Sequence, residues 1–376
     1  MINSLDQSLE AANSKAYVMV ASSENPDMRY LTGFSVTDPL IYIRRHGGRG
    51  QLIVPQMEKD RALSESKCDV ITRGEAGYFD YLKSAPDPYT AQAEMISYVA
   101  GGDILVPADF PVILARELEK FCRVSVDRGT VEKMRSVKTP GEIEKIRECQ
   151  KANDAVMEFA VNKISAALVK NGELYDGKTR MTSSYLRGEI ECFLLKRGFL
   201  ARDTIVSCGT ETAMPHCTGK GVLLENEPIL MDIFPSDLKT GYYSDMTRTV
   251  VKGEPSPEIE DIFKTVSEAK KLGENMVSAG ITGKSVHDAV SKFFEESGYH
   301  TGTEGFVHSL GHGVGLAIHE SPSLSPSGGE LECGNIVTVE PGLYYRKYGG
   351  VRLEDMGLVE KNGFDCFTKS KEELRV

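Results

Sequence analysis

Four stretches rich in apolar and β-branched residues each carry an acid in their interior. They are PILMDIF (228–234) with Asp232, YYSDMTRTVV (242–251) with Asp245, IVTVEPGLYY (336–345) with Glu340, and GVRLEDMGLV (350–359) with Glu354. Each stretch reads as a strand. A carboxylate inside a strand runs against propensity and is costly to bury unpaired. A salt bridge or an outward polar face explains one such residue, but four require a common cause. If the four converge, mutual repulsion raises their pKa values and protonates some of them, unless cations sit among them. Two divalent ions neutralise such a cluster.

A second concentration of chemistry lies in HSLGHGVGLAIHE, where His308, His312 and His319 account for three of the chain's seven histidines. His312 adds one nitrogen to the oxygen set, a combination that suits Mn²⁺, Co²⁺ or Fe²⁺ better than the thiolate-rich sites of structural zinc. Paired metals can share a bridging hydroxide and polarise a carbonyl, which is the equipment of a hydrolase. Taken alone, His216 in AMPHCTGKG reads as an ordinary loop histidine, and His46, His287 and His300 receive no role. Cys208 and Cys217 flank His216, but without Cys-x-x-Cys spacing they read as buried thiols. GHGVG lacks the preceding strand and following Lys-Ser/Thr of a phosphate loop.

At 376 residues the chain is too long for one ordinary core, and two domains are expected. Residues 1–130 alternate short strands (16–20, 40–43, 51–55, 69–72, 103–107 and 124–126) with helical stretches, which describes a small α/β domain. Thr139-Pro-Gly-Glu142 then has the form of a capped helix start. Residues 131–376 combine helices near 140–168, 182–197, 256–278 and 284–297 with mostly antiparallel hairpins, so the second domain is α+β. The net charge of -11 argues against nucleic-acid and anionic-membrane partners, because like charges repel. No apolar run approaches the roughly 18 residues of a membrane helix. The opening MINSLDQSLEAANSKAYVMV lacks the basic region and apolar core of a signal peptide, and eight scattered cysteines read as reduced thiols of a cytoplasmic protein.

LMDIF, YYSDMTRTV, HSLGHGVGLAIHE, TVEPGLY and GGVRLED, in this order, resemble the creatinase, aminopeptidase P and prolidase family, whose catalytic domain has the pita-bread fold. NPDMRYLTGF (25–34) and VPQMEKDRA (54–62) resemble that family's creatinase-type N-terminal domain, so the resemblance covers nearly the whole chain. It implies that Asp232 chelates one metal, that His312 and Glu340 hold the other, and that Asp245 and Glu354 bridge them. The implied cofactors are two divalent ions, Mn²⁺ or Co²⁺ first, with Fe²⁺ or Zn²⁺ as alternatives. His216, His308 and His319 would line the substrate site, bonding the carbonyl or its oxyanion or shuttling a proton. Arg352, two residues before Glu354 and hence on the same strand face, would support them. The implied activity is that of a dinuclear-metal exopeptidase, acting through a metal-bridging hydroxide on the bond before proline in Xaa-Pro peptides. It would be a dipeptidase or an aminopeptidase, taking small peptides and working as a homodimer.

The chain departs from that pattern in three places. Asp232 and Asp245 lie thirteen positions apart, about two more than the family hairpin has, and Phe234 stands where a glycine is common. A two-residue lengthening keeps both side chains on the same face. Residues 165–183 exceed the usual connection, and the loop Ser321 to Cys333 has no Arg or Lys to clamp a substrate carboxylate, leaving Arg346 and Lys347, or the N-terminal domain of a second subunit, as alternatives. Three other functions are weighed: a metal-free creatinase-like hydrolase, a non-enzymatic binding module, and a metal-dependent hydrolase or lyase of another small amide or metabolite. The first two classes usually lose ligands, and all five positions are filled here. The third remains open because these motifs set the metal site and not the pocket.

Overall fold

The computed structural model describes residues 4–376, so the first three residues of the opening stretch lie outside it. Two compact units divide between Arg135 and Ser136, later than the expected break at residue 130. Val131 supplies the reason, since it is fully buried in the core of the first unit and its helix belongs there.

In the first unit β1 (Ala16–Ala21), β2 (Leu40–Arg45), β3 (Gly50–Val54), β4 (Asp69–Thr72), β5 (Ile104–Val106) and β6 (Val124–Val126) form one sheet in the order β4-β3-β2-β1-β5-β6. β2 runs antiparallel to β1 and β3, and the other pairs are parallel. Its strands read as continuous apolar runs because both faces are covered. Ala16, Val18, Ile41 and Ile43 pack into one core, while Tyr17, Met19, Leu40 and Tyr42 pack into the other. Around the sheet lie α1 (Ser4–Ala11), α2 (Pro26–Thr32), α3 (Lys59–Glu65), α4 (Tyr78–Ser84), α5 (Pro88–Ala100), α6 (Val112–Leu118) and α7 (Thr130–Ser136). Of these, only α5 and α6, which fall in the apolar-periodic runs 91–100 and 111–121, are announced by the sequence. α2 nonetheless has a local signal, since Asn25 accepts the Asp27 and Met28 amides and Pro26 opens the helix.

The second unit opens with α8 (Pro140–Ser165), and the Thr139/Glu142 capping box is formed. The long connection after it folds as a meander of β7 (Leu168–Lys170), β8 (Glu173–Asp176) and β9 (Thr179–Arg180), anchored by fully buried Leu174 and Met181. α9 (Ser183–Leu195) follows, then β10 (Phe199–Leu200), β11 (Ile205–Cys208), β12 (Pro228–Ile233), β13 (Ser236–Asp237) and β14 (Met246–Val251). β11, β12 and β14 make an antiparallel sheet, while β10 and β13 pair beside it. After α10 (Pro257–Met276) and α11 (Gly283–Glu296) come β15 (Gly311–Gly313), β16 (Glu320–Leu324), β17 (Ile336–Val339), β18 (Gly342–Tyr345), β19 (Gly349–Arg352), β20 (Asp355–Glu360) and β21 (Gly363–Cys366). Five of these form a sheet in the order β16-β15-β17-β20-β21, and β18 and β19 pair with each other as a separate hairpin. α8 and α9 share one core with the first sheet, and α10 and α11 share a second with the other. The unit is α+β, as expected.

One expectation needs correction. Asp232 alone lies inside a strand; Asp245 immediately precedes β14, Glu340 falls between β17 and β18, and Glu354 falls between β19 and β20. The runs 336–345 and 350–359 are each broken, because the chain leaves the five-stranded sheet for the β18/β19 hairpin and then returns. Pro341, which cannot donate to a ladder, stands at the outgoing break. Three carboxylates therefore lie just outside the strands, where ladder pairing stops.

Candidate metal centre

All nine residues singled out from the sequence line one cavity of about 680 Å³: Asp232, Asp245, His312, Glu340 and Glu354, with His216, His308, His319 and Arg352. One ligand-type atom from each of Asp245, His312 and Glu354 lies within 4.8 Å of the other two. His312 Nε2 is 3.5 Å from Asp245 Oδ2 and 3.4 Å from Glu340 Oε1. The other ring nitrogen, Nδ1, is 3.1 Å from the Gly313 carbonyl, which can only accept. That bond assigns the proton to Nδ1 and leaves the Nε2 lone pair facing the carboxylates.

This arrangement is repulsive as it stands. Burial, then the charges of Glu354 and Asp232, push Asp245 well above the carboxylate range, and burial, Glu340 and Asp232 do the same to Glu354. Burial raises Glu340 to about 8, and it lowers His312 to about 3, so the ring is neutral and its carboxylate contacts are not ion pairs. Asp232 Oδ1, Asp245 Oδ1 and Glu354 Oε1 are buried without a hydrogen-bond partner. Orphaned buried oxygens and an imidazole lone pair in one cavity fit divalent cations, which satisfy both.

One buried cation braces the site. Arg352 donates to Asp232 Oδ2 at 2.6 Å, to the Tyr344 hydroxyl at 2.9 Å and to Thr247 Oγ1 at 3.1 Å. The Thr247 hydroxyl in turn donates to Glu354 Oε2 at 2.8 Å. Arg352 thus reaches Glu354 through Thr247 and not along a shared strand face, since the chain leaves β19 between them. His308 Nδ1 donates to the Ser309 carbonyl at 2.7 Å, so Nε2 accepts from the Tyr344 hydroxyl at 2.9 Å. Burial, then the charge of Arg352, lowers His308 to about 3. It is a neutral ring with both nitrogens engaged. His319 stands edge-on to His312, with ring centroids 4.3 Å apart, and burial followed by His216 lowers its pKa.

Tyr344 and Thr247 are absent from the sequence-derived site. Nothing in their types marks them, since a tyrosine and a threonine in strands are ordinary. Phe234 follows Asp232 by two residues and lines the same cavity, so the residue replacing a glycine occupies the wall. Cys208 is buried and Cys217 half-buried, and neither belongs to a metal-ligand group among the described residues.

The donors, and the two helix-backed halves that carry them, place the protein among metal-dependent hydrolases. Residues 144–361 match the metallopeptidase family M24, and residues 1–149 match the creatinase/prolidase N-terminal domain. The chain belongs to metallopeptidase family M24 and is a metallo-exopeptidase. It is 32% identical over 373 residues to an Xaa-Pro dipeptidase of Pyrococcus horikoshii, covering 96% of this chain and 95% of that one. Among solved structures, an Xaa-Pro dipeptidase from Bacillus anthracis aligns with a TM-score of 0.85 at 27% identity, covering 100% and 99% of the two chains. An X-Pro aminopeptidase from Thermotoga maritima shares the fold, with a TM-score of 0.81 at 24% identity over 98% and 100%.

Proposed function

We propose that this chain hydrolyses the bond before proline in Xaa-Pro peptides, with Asp232, Asp245, His312, Glu340 and Glu354 holding two divalent cations, Mn²⁺ or Co²⁺ first. The observation that carries the reading is the set of buried acids in one cavity, three of them with an orphaned oxygen, beside the His312 lone pair that faces Asp245 and Glu340. When bound, such cations supply Lewis acidity at the scissile carbonyl and make water a stronger nucleophile. The side chains around them do the rest. Arg352 and Thr247 fix the orientation of Asp232 and Glu354, and Tyr344 links Arg352 to His308. His319 has a depressed pKa and is neutral near pH 7, so its ring N–H is available to the carbonyl oxygen as negative charge develops. The proline nitrogen has no hydrogen of its own and must receive a proton as it leaves. His216 and His319, both on the cavity wall, are the groups to relay to it the proton that the attacking water gives up.

One feature favours peptides longer than two residues. Among the described residues lining the cavity, Arg352 is the sole Lys or Arg, and its guanidinium is already bonded to Asp232, Tyr344 and Thr247. A dipeptide brings its own carboxylate into this acidic space, whereas a tripeptide carries that charge farther out. The eight free cysteines support a cytoplasmic setting. The test is release of the first residue from an Xaa-Pro-Xaa tripeptide, an Xaa-Pro dipeptide and the dipeptide amide, with Mn²⁺ and after chelation. Tripeptide and amide cleavage that stops with chelator is the expected result. No cleavage of any of the three by metal-loaded protein would turn the site to another small amide or metabolite.

A further inference from the structure

We propose that Glu320 and Lys138 are positioning residues for His319, forming an ion pair that sets the imidazole over the metal site. The proposal rests on the role given to His319 above. Glu320 directly follows His319, and its carboxylate Oε1 lies 2.7 Å from Lys138 Nζ, with both side chains only 1% exposed. Lys138 is itself tied down, with Nζ donating to the Ser136 carbonyl at 3.2 Å and its backbone N–H to the Gly334 carbonyl at 2.9 Å. The cation is therefore anchored at the entry to α8 and β17, away from the cavity.

The carboxylate also meets the loop that carries His319. The Ala317 N–H points at Glu320 Oε2 from 3.4 Å, and the Gly315 N–H donates to the Ala317 carbonyl at 3.1 Å. A side chain at Gly315 has no room, since its Cβ would stand 2.2 Å from Glu320 Oε1. Gly315 and Ala317 thus lie against the Glu320 carboxylate. In the ladder, Glu320 pairs with Gly313, and the register shifts between His312 and Gly313. One acid therefore fixes the crossing between the metal-ligating type of histidine and the edge-on His319, 4.3 Å away. A buried ion pair is weak evidence for stability alone, because desolvation offsets its attraction. Its placement under one loop points instead to geometry.

A double-mutant comparison separates positioning from general loosening. Glu320→Gln with Lys138→Met removes both buried charges together and leaves neither unpaired. Made in the wild-type and in the His319→Ala background, with kcat, KM and metal content measured on a saturable Xaa-Pro-Xaa peptide, it should lower wild-type kcat by about tenfold or more with metal content and KM little changed. In the His319→Ala background the same pair should cost less than about twofold. An equal loss in both backgrounds, a loss of metal, or no loss at all would overturn the positioning role. A His319→Ala variant with full kcat would overturn the role of His319 itself, which is a separate failure. If the double variant does not fold, Glu320→Asp keeps the charge but shortens the arm by one methylene, and its loss of kcat should likewise vanish in the His319→Ala background; a loss that persists there overturns the proposal.

Discussion

Glu354 and Asp355 are consecutive and both buried, yet they join clusters of opposite character. Glu354 turns toward Asp232, Asp245 and Glu340, where Arg352 is the one buried cation among the described residues, and burial with neighbouring acids drives the Glu354 pKa up. Asp355 accepts from Arg248 at 2.7 Å and from Lys270, which also holds Glu274 at 2.8 Å and Glu372 at 2.6 Å. Burial works against ionisation there too, but Arg248 and Lys270 outweigh it and hold Asp355 below its ordinary value. Glu274, Asp355 and Cys366 even have metal-ligand spacing. The difference teaches that converging acids do not define a metal site; the absence of enough protein cations to balance them does.

Breaking each cluster should expose that difference. The largest effect is expected from Glu354→Ala, which should cut peptide turnover by about a hundredfold or more and lower the metal bound per chain; normal turnover with full metal would remove Glu354 from the ligand set. Next in size, Lys270→Met leaves Asp355, Glu274 and Glu372 with Arg248 alone and should destabilise the fold by about 3–5 kcal/mol in urea titration, with metal-dependent peptide turnover per folded chain unchanged. Third, loading stripped protein with Mn²⁺ at about 100 times Kd should add about 2.7 kcal/mol of stability for each ion bound. Lys270→Met should keep that increment and Glu354→Ala should lose most of it, and equal increments in both would erase the contrast. Smallest, Tyr344→Phe removes the hydroxyl between Arg352 and His308 and should lower kcat by about tenfold while leaving metal content intact; loss of metal would mean that Tyr344 supports the ligands themselves.

The acids proposed as ligands were legible because acids in apolar runs are conspicuous, and the inner strands of the first unit because both of their faces are apolar. The bends at Glu340 and Glu354 were not. Period-two patterning continues across them, and only the pairing of β18 with β19 reveals that each run belongs to two sheets. Lys138 and Glu320 were invisible for a different reason. They are ordinary charged residues 182 positions apart, and burial alone makes them distinctive. His308 was legible as a site residue but not as one whose two nitrogens are already bonded.

The most direct test is to strip the protein of metal, titrate Mn²⁺ back, and follow metal per chain by mass spectrometry alongside release of the first residue from an Xaa-Pro-Xaa peptide. Binding of two ions per chain, with cleavage absent in the stripped protein and restored as they load, is the expected result. Undiminished cleavage by metal-free protein would contradict it.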